Sequence, residues 1–96
     1  MPTYAQAATF QRDFANLSTD ERDAFRAAVA KFVHDLHEGR LRKSLRVKGI
    51  QGATGVFEMT WARDGRATFE YATQIVSGEP HVVWRRIGGH DIFATP

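Results

Sequence analysis

Apolar positions in the first part of the chain recur with a helical period. Phe10, Phe14 and Leu17 stand at i, i+4 and i+7, which places them on one face of a short helix over residues 9–17, with Thr9 as its cap. Ser18 is followed three residues later by Glu21, a capping box in front of an acidic first turn. Phe25, Val29, Phe32, Val33 and Leu36 continue the stripe to Gly39, which predicts a second helix over 19–38 with glycine as its stop. The pair reads as a helical hairpin. Ahead of it, residues 3–7 read as a short strand.

After Gly39 the period changes to two. Leu45 and Val47 alternate with Arg46 and Lys48, predicting a strand with one apolar and one basic face. Residues 56–62 and 66–72 read as strands around Arg63-Asp64-Gly65. A two-residue turn there mixes polar and apolar side chains on both faces. A three-residue loop pairs Trp61 with Ala67, Met59 with Phe69 and Phe57 with Tyr71, and separates the faces, with Gly65 left-handed. Residues 77–80 turn the chain, and 81–87 form a last strand. Val82-Val83-Trp84 is apolar on both parities, so that strand reads as central.

The expected architecture is α+β: one domain over 1–96, with the helical hairpin packed on one face of a mainly antiparallel four-stranded sheet. The opposite face is expected to carry Arg46, Lys48, Glu58 and Arg66, joined by Arg85 or Arg86.

Charge divides along the same line. Residues 1–38 hold four basic and six acidic groups, residues 39–96 nine basic and five acidic. Five of the nine lie between Arg40 and Lys48 with no acid among them, a run that suits phosphate and equally suits a solvated surface. The chain has no cysteine, which removes disulfides, thiolate metal sites and Cys nucleophiles. His34 and His37 share a helix face but have no third ligand at a metal-binding spacing, so no metal or cofactor is expected. No Walker loop or nucleophile elbow is present. There is no long apolar run and no leader-like start, so a cytoplasmic protein without membrane contact is expected.

The remaining chemistry is arginine, histidine, lysine and carboxylate. Arginine's planar fork fits a phosphodiester, histidine exchanges protons near neutral pH, and a glutamate can take one from a hydroxyl. Together they suffice to cleave RNA through its own 2′-hydroxyl. Glu58 and Arg66 also read as a plain cross-strand ion pair, and His90-Asp91 as a cap at the chain end.

Four segments resemble the RelE/ParE superfamily of toxin–antitoxin toxins, closest to its RelE/YafQ-like branch. Thr9-Phe10-Gln11-Arg12-Asp13-Phe14 is similar to the start of that branch's first helix. Leu45-Arg46-Val47-Lys48-Gly49 is similar to the element before the family's central hairpin. Gly65-Arg66 with Ala67-Thr68-Phe69-Glu70-Tyr71 resembles its following strand, and Ile87-Gly88-Gly89-His90-Asp91-Ile92-Phe93 its ending. The resemblance implies a βααβββ fold and an mRNA endoribonuclease acting on the ribosome without metal, which inhibits translation. It also implies neutralisation by an antitoxin docking on the helical hairpin and sheet edge. It assigns Arg66 to phosphate, His90 to the acid role and Glu58 to a polar catalytic position that serves here as base. Arg46, Lys48 and Arg86 would position RNA, and Phe93 would stack on a base. The sequence departs from the family in its acids, Glu58 and Glu70, on the hairpin's polar face, and in Phe93, where several members carry tyrosine. Two alternatives stay open: a ParE-like gyrase inhibitor, or a catalytically inactive binding module on the same fold.

Overall fold

The computed structural model describes residues 1–96. Its elements are β1 (Thr3–Gln6), α1 (Ala8–Ala15), α2 (Thr19–Glu38), β2 (Lys48–Ile50), β3 (Ala53–Thr60), β4 (Arg66–Ala72) and β5 (His81–Gly88). Short 3-10 turns cover Lys43–Leu45 and His90–Ala94. The strands form one sheet in the order β1-β5-β4-β3-β2. The sheet has five strands rather than four, because β1 adds to it in parallel beside β5 while every other pairing is antiparallel. Strand β5 is an interior strand, between β1 and β4, as its apolar residues on both faces require.

The helical stripe packs where its spacing directs it. Phe10, Phe25 and Phe32 meet Met59, Ala67, Phe69, Val82, Trp84 and Ile87 in one core. Trp84 is its hub, with ring centroids 5.3–6.0 Å from Phe69, Phe25, Phe32 and Phe10, in the tilted and edge-on geometries that aromatic quadrupoles favour. The Ser18–Glu21 capping box forms reciprocally, and Gly39 ends α2 in the left-handed conformation. Helix α1 is shorter than its apolar spacing suggests and starts after Ala7. Thr9 does not cap it, because its hydroxyl is used on the Arg85 carbonyl at 2.9 Å.

Two strand expectations are corrected. The β3–β4 ladder pairs Met59 with Ala67, Phe57 with Phe69 and Thr60 with Arg66. It is offset by two residues from the register expected, so the same side chains stay on the same faces. Trp61 leaves the ladder to set its ring edge-on against Phe25 at 6.3 Å. A five-residue loop, 61–65, then closes through Trp61 N–H to the Gly65 carbonyl and Gly65 N–H to the Ala62 carbonyl. Gly65 is not left-handed. It is glycine because the Trp61 ring lies where a Cβ would sit, 2.6 Å from it.

The basic stretch before β2 is a turn, not a strand. At the end of α2 the Asp35 carboxylate accepts from the Arg42 backbone N–H, Nε and Nη2 at 2.8–2.9 Å. This clasp redirects the chain from the helix layer toward the sheet. The Lys43–Leu45 turn drops Leu45 into the core, and Arg46 reverses the chain in a left-handed conformation at φ 49°. Such a conformation is uncommon for a side-chain-bearing residue.

Two consequences are testable. Gly65→Ala forces the methyl into the Trp61 ring and should cost about 1–3 kcal/mol in urea denaturation. The Arg42 hydrogen bonds hold the Asp35 carboxyl at about 2, below the ordinary carboxylate value. The clasp therefore stabilises fully above about pH 4 and is lost as pH falls toward 2. Asp35→Asn should lower stability at neutral pH and flatten its fall below pH 4, read from unfolding midpoints across that range.

Candidate functional site

Strand β5 sets the polar face. Its ladder with β4 pairs Phe69 with Trp84 but Thr68 with Arg86, leaving Arg85 as an extra residue. This bulge keeps Ile87 in the core, sends Arg85 to Glu70 on the face away from the helices, and lets Arg86 reach Asp13 of α1. Arg85 Nη1 reaches Glu70 Oε2 at 3.0 Å and its Nε the Pro96 carbonyl at 3.2 Å. Arg86 donates to both Asp13 oxygens at 2.6 and 3.3 Å, and to the Thr95 hydroxyl and carbonyl. The Asp13 hydrogen bond raises the Arg86 pKa further above its ordinary value. Both guanidiniums are thus held by the protein itself.

Lys48, Glu58, Thr68 and Arg86 form one cross-strand row over β2, β3, β4 and β5. Glu58 is half-buried there, between an exposed lysine and a buried threonine, and forms no ion pair. Arg66 begins β4 one row nearer the hairpin loop, diagonal to Glu58. Its Nη1 turns the other way and donates to the carbonyls of Ala62, Arg63 and Gly65 at 2.9–3.3 Å. The expected Glu58–Arg66 pair is absent, and Arg66 instead organises the loop.

His90 lies two residues beyond Gly88, the cross-strand partner of Arg66. Its Nδ1 is 2.5 Å from Asp64 Oδ1, on the hairpin loop. An ionised carboxylate only accepts, so Nδ1 carries the proton and Nε2 is left for other chemistry. Gly89 permits this contact, since a Cβ there would lie 2.8 Å from Asp64 Oδ2. The Phe93 ring stands edge-on to His90 at 5.8 Å. Beside them, Trp61, Ile87, Gly88 and Ile92 help to line a cleft of about 460 Å³ bordered by Asp64, Arg63 and Arg86.

The structure therefore brings Arg66, His90 and Phe93 to one end of the sheet, with Lys48 and Glu58 in the neighbouring row. Arg46 does not join them. Its left-handed backbone places it on the groove beside α2. Asp64 is the partner that sequence reading missed. It appeared there only as a turn residue, and nothing local marks a contact made 26 positions away.

No family model matches the sequence, and no curated protein matches it. Solved structures do. The toxin of the RelB-RelE antitoxin-toxin complex from Methanococcus jannaschii superposes with a TM-score of 0.64 at 17% identity, over 96% of this chain and 99% of that one. The E. coli DinJ-YafQ toxin-antitoxin complex gives 0.67 at 11%, over 94% and 93%. The YoeB/ParE toxin from Agrobacterium tumefaciens gives 0.67 at 5%, over 92% and 98%. The chain has the RelE/ParE toxin fold. In this RelE-like chain the expected α+β layering holds, with β1 as the addition. No helix is long and apolar enough to cross a membrane.

Asp13 fastens this site to the helices. Asp13→Ala removes the Arg86 pair and a bond to the Ile87 N–H at 3.2 Å. Loss of these charge-assisted bonds should cost about 1.5–3 kcal/mol, measured by chemical denaturation.

Proposed function

We propose that this chain is the toxin of a toxin–antitoxin pair and cleaves mRNA on the ribosome. The observation that carries the reading is the Asp64–His90 pair, exposed beside Arg66 at the end of the basic half of a RelE-like fold. The RNA 2′-hydroxyl attacks the adjacent phosphorus as Glu58 takes its proton. His90, as the imidazolium, gives its Nε2 proton to the departing 5′-oxygen. Asp64 orients the ring through Nδ1 and stabilises the imidazolium, and Arg66, exchanging loop carbonyls for phosphate, balances charge on the phosphorane. The products are a 2′,3′-cyclic phosphate and a 5′-hydroxyl end. Lys48 and Arg86 position the backbone, with Arg86 exchanging protein partners for phosphate, and Phe93 stacks on a base.

An antitoxin is the natural protein partner. The structures similar to this one include RelB-RelE and DinJ-YafQ complexes. Its docking surface is the helical hairpin and the open β1 edge, where Tyr4, Phe14, Phe25 and Val29 border an apolar groove of about 330 Å³. The gyrase-inhibitor alternative gains nothing specific from the site, an exposed imidazole oriented by a carboxylate.

Purified protein added to translating ribosomes should cut mRNA and leave cyclic phosphate ends. His90→Ala and Asp64→Asn should each slow cutting by about 10²–10⁴-fold with folding unchanged. Wild-type rates in both variants, or no cutting by the wild type, would remove the assignment.

A further inference from the structure

The largest open groove lies at the hairpin end of the sheet, beside α2. It holds about 660 Å³ between α2, the Lys43–Leu45 turn and the 61–66 loop. Four cations border it: Lys31 from α2, Arg46 from the left-handed turn, and Arg63 and Arg66 from the hairpin. No carboxylate lines it, and none of the four is in an ion pair. The chain pairs some of its cations with carboxylates within the fold, as with Arg42, Arg85 and Arg86. Here it leaves them free around a floor that includes Leu45, Ala28 and Trp61.

Cations around an apolar floor suit a single nucleic-acid strand, whose phosphates meet charge while sugars and bases cover carbon. The loop that forms one wall of the groove also carries Asp64 on the His90 side. A strand crossing the His90 end therefore passes over the loop into the groove. Two features hold Arg46 and Arg66 in place before any ligand arrives: the left-handed backbone of Arg46, and the hydrogen bonds of Arg66 to the loop carbonyls.

We propose that this groove is a second RNA-binding site, which holds the sugar-phosphate backbone of single-stranded RNA flanking the cleaved bond through Lys31, Arg46 and Arg63. The inference rests on the RNA reading above and deepens it. It assigns binding roles to Lys31 and Arg63, and moves Arg46 from the sheet face to the groove.

The test is equilibrium binding of a labelled single-stranded 2′-O-methyl RNA, which has no free 2′-hydroxyl and cannot be cleaved. Binding is followed across a salt series for the wild type, for Lys31→Gln/Arg46→Gly/Arg63→Gln, and for His90→Ala. Glycine at 46 keeps the left-handed backbone, and urea denaturation verifies the fold. Each phosphate neutralised on a single strand contributes about 0.7 to the slope of log K against log salt. The triple variant should lose about 2 from that slope, and His90→Ala should keep it. An unchanged slope in the folded triple variant overturns the proposal. So does an equal slope loss on duplex RNA, or poly-L-glutamate that binds the wild type more tightly than RNA and is released by the same variant. If the triple variant loses slope while ribosomes show no cutting, the groove stands and the cleavage reading falls. Cutting with no slope change gives the reverse.

Discussion

One carboxylate joins the two halves of this molecule. Strand β1 covers only the first half of β5, pairing as far as Trp84. Beyond that point the edge of an interior strand would be bare, with backbone groups needing partners. Helix α1 supplies them. The Ala7 N–H reaches the Trp84 carbonyl, the Thr9 hydroxyl the Arg85 carbonyl, and the Asp13 carboxylate the Ile87 N–H. Asp13 also takes the Arg86 guanidinium, and Arg86 in turn holds Thr95. Helix α1, strand β5 and the chain end are thus tied at one carboxyl group. The His90 turn lies between two of those ties.

The same contacts decide where positive charge is available. A count along the sequence puts the excess on the sheet half, and the expectation was a basic sheet face. The bulge brings Arg85 to that face, paired with Glu70, and lets Arg86 reach Asp13 of α1. Of the two acids that looked like a departure from an RNA-binding face, Glu70 is the counter-ion of Arg85, while Glu58 forms no ion pair. Lys31, Arg46, Lys48, Arg63 and Arg66, around the hairpin loop and the turn after α2, are among the cations left without a counter-ion.

The fold was legible because it rests on local periodicities. The two helices, the capping box, the Gly39 stop and the interior last strand each follow from patterns of eight to twenty residues. What could not be read depends on distant contacts. The hairpin register is set by Trp61 leaving the ladder for Phe25, a residue of α2. Alternation at 45–48 matches a strand, yet the Asp35–Arg42 clasp makes the chain turn there. The site divides in the same way. Arg66, His90 and Phe93 were read from sequence and lie at one end of the sheet, whereas Asp64 and Asp13 are recognisable only by their partners 26 and 73 positions away.

The hairpin loop is where these long-range constraints converge. Trp61 anchors it to the core, Gly65 yields space to the indole, and Arg66 ties three of its carbonyls. A five-residue loop held at three points is stiff, and Asp64 inherits that stiffness. Charged side chains on exposed loops ordinarily sample many positions and hold partners weakly. Asp64 is exposed, but the backbone beneath it is fixed and Gly89 lets the opposing chain close on it. The fold therefore holds an exposed imidazole in one orientation without burying it. A group that must meet a polymeric substrate needs both properties, and a buried pair would offer only the first.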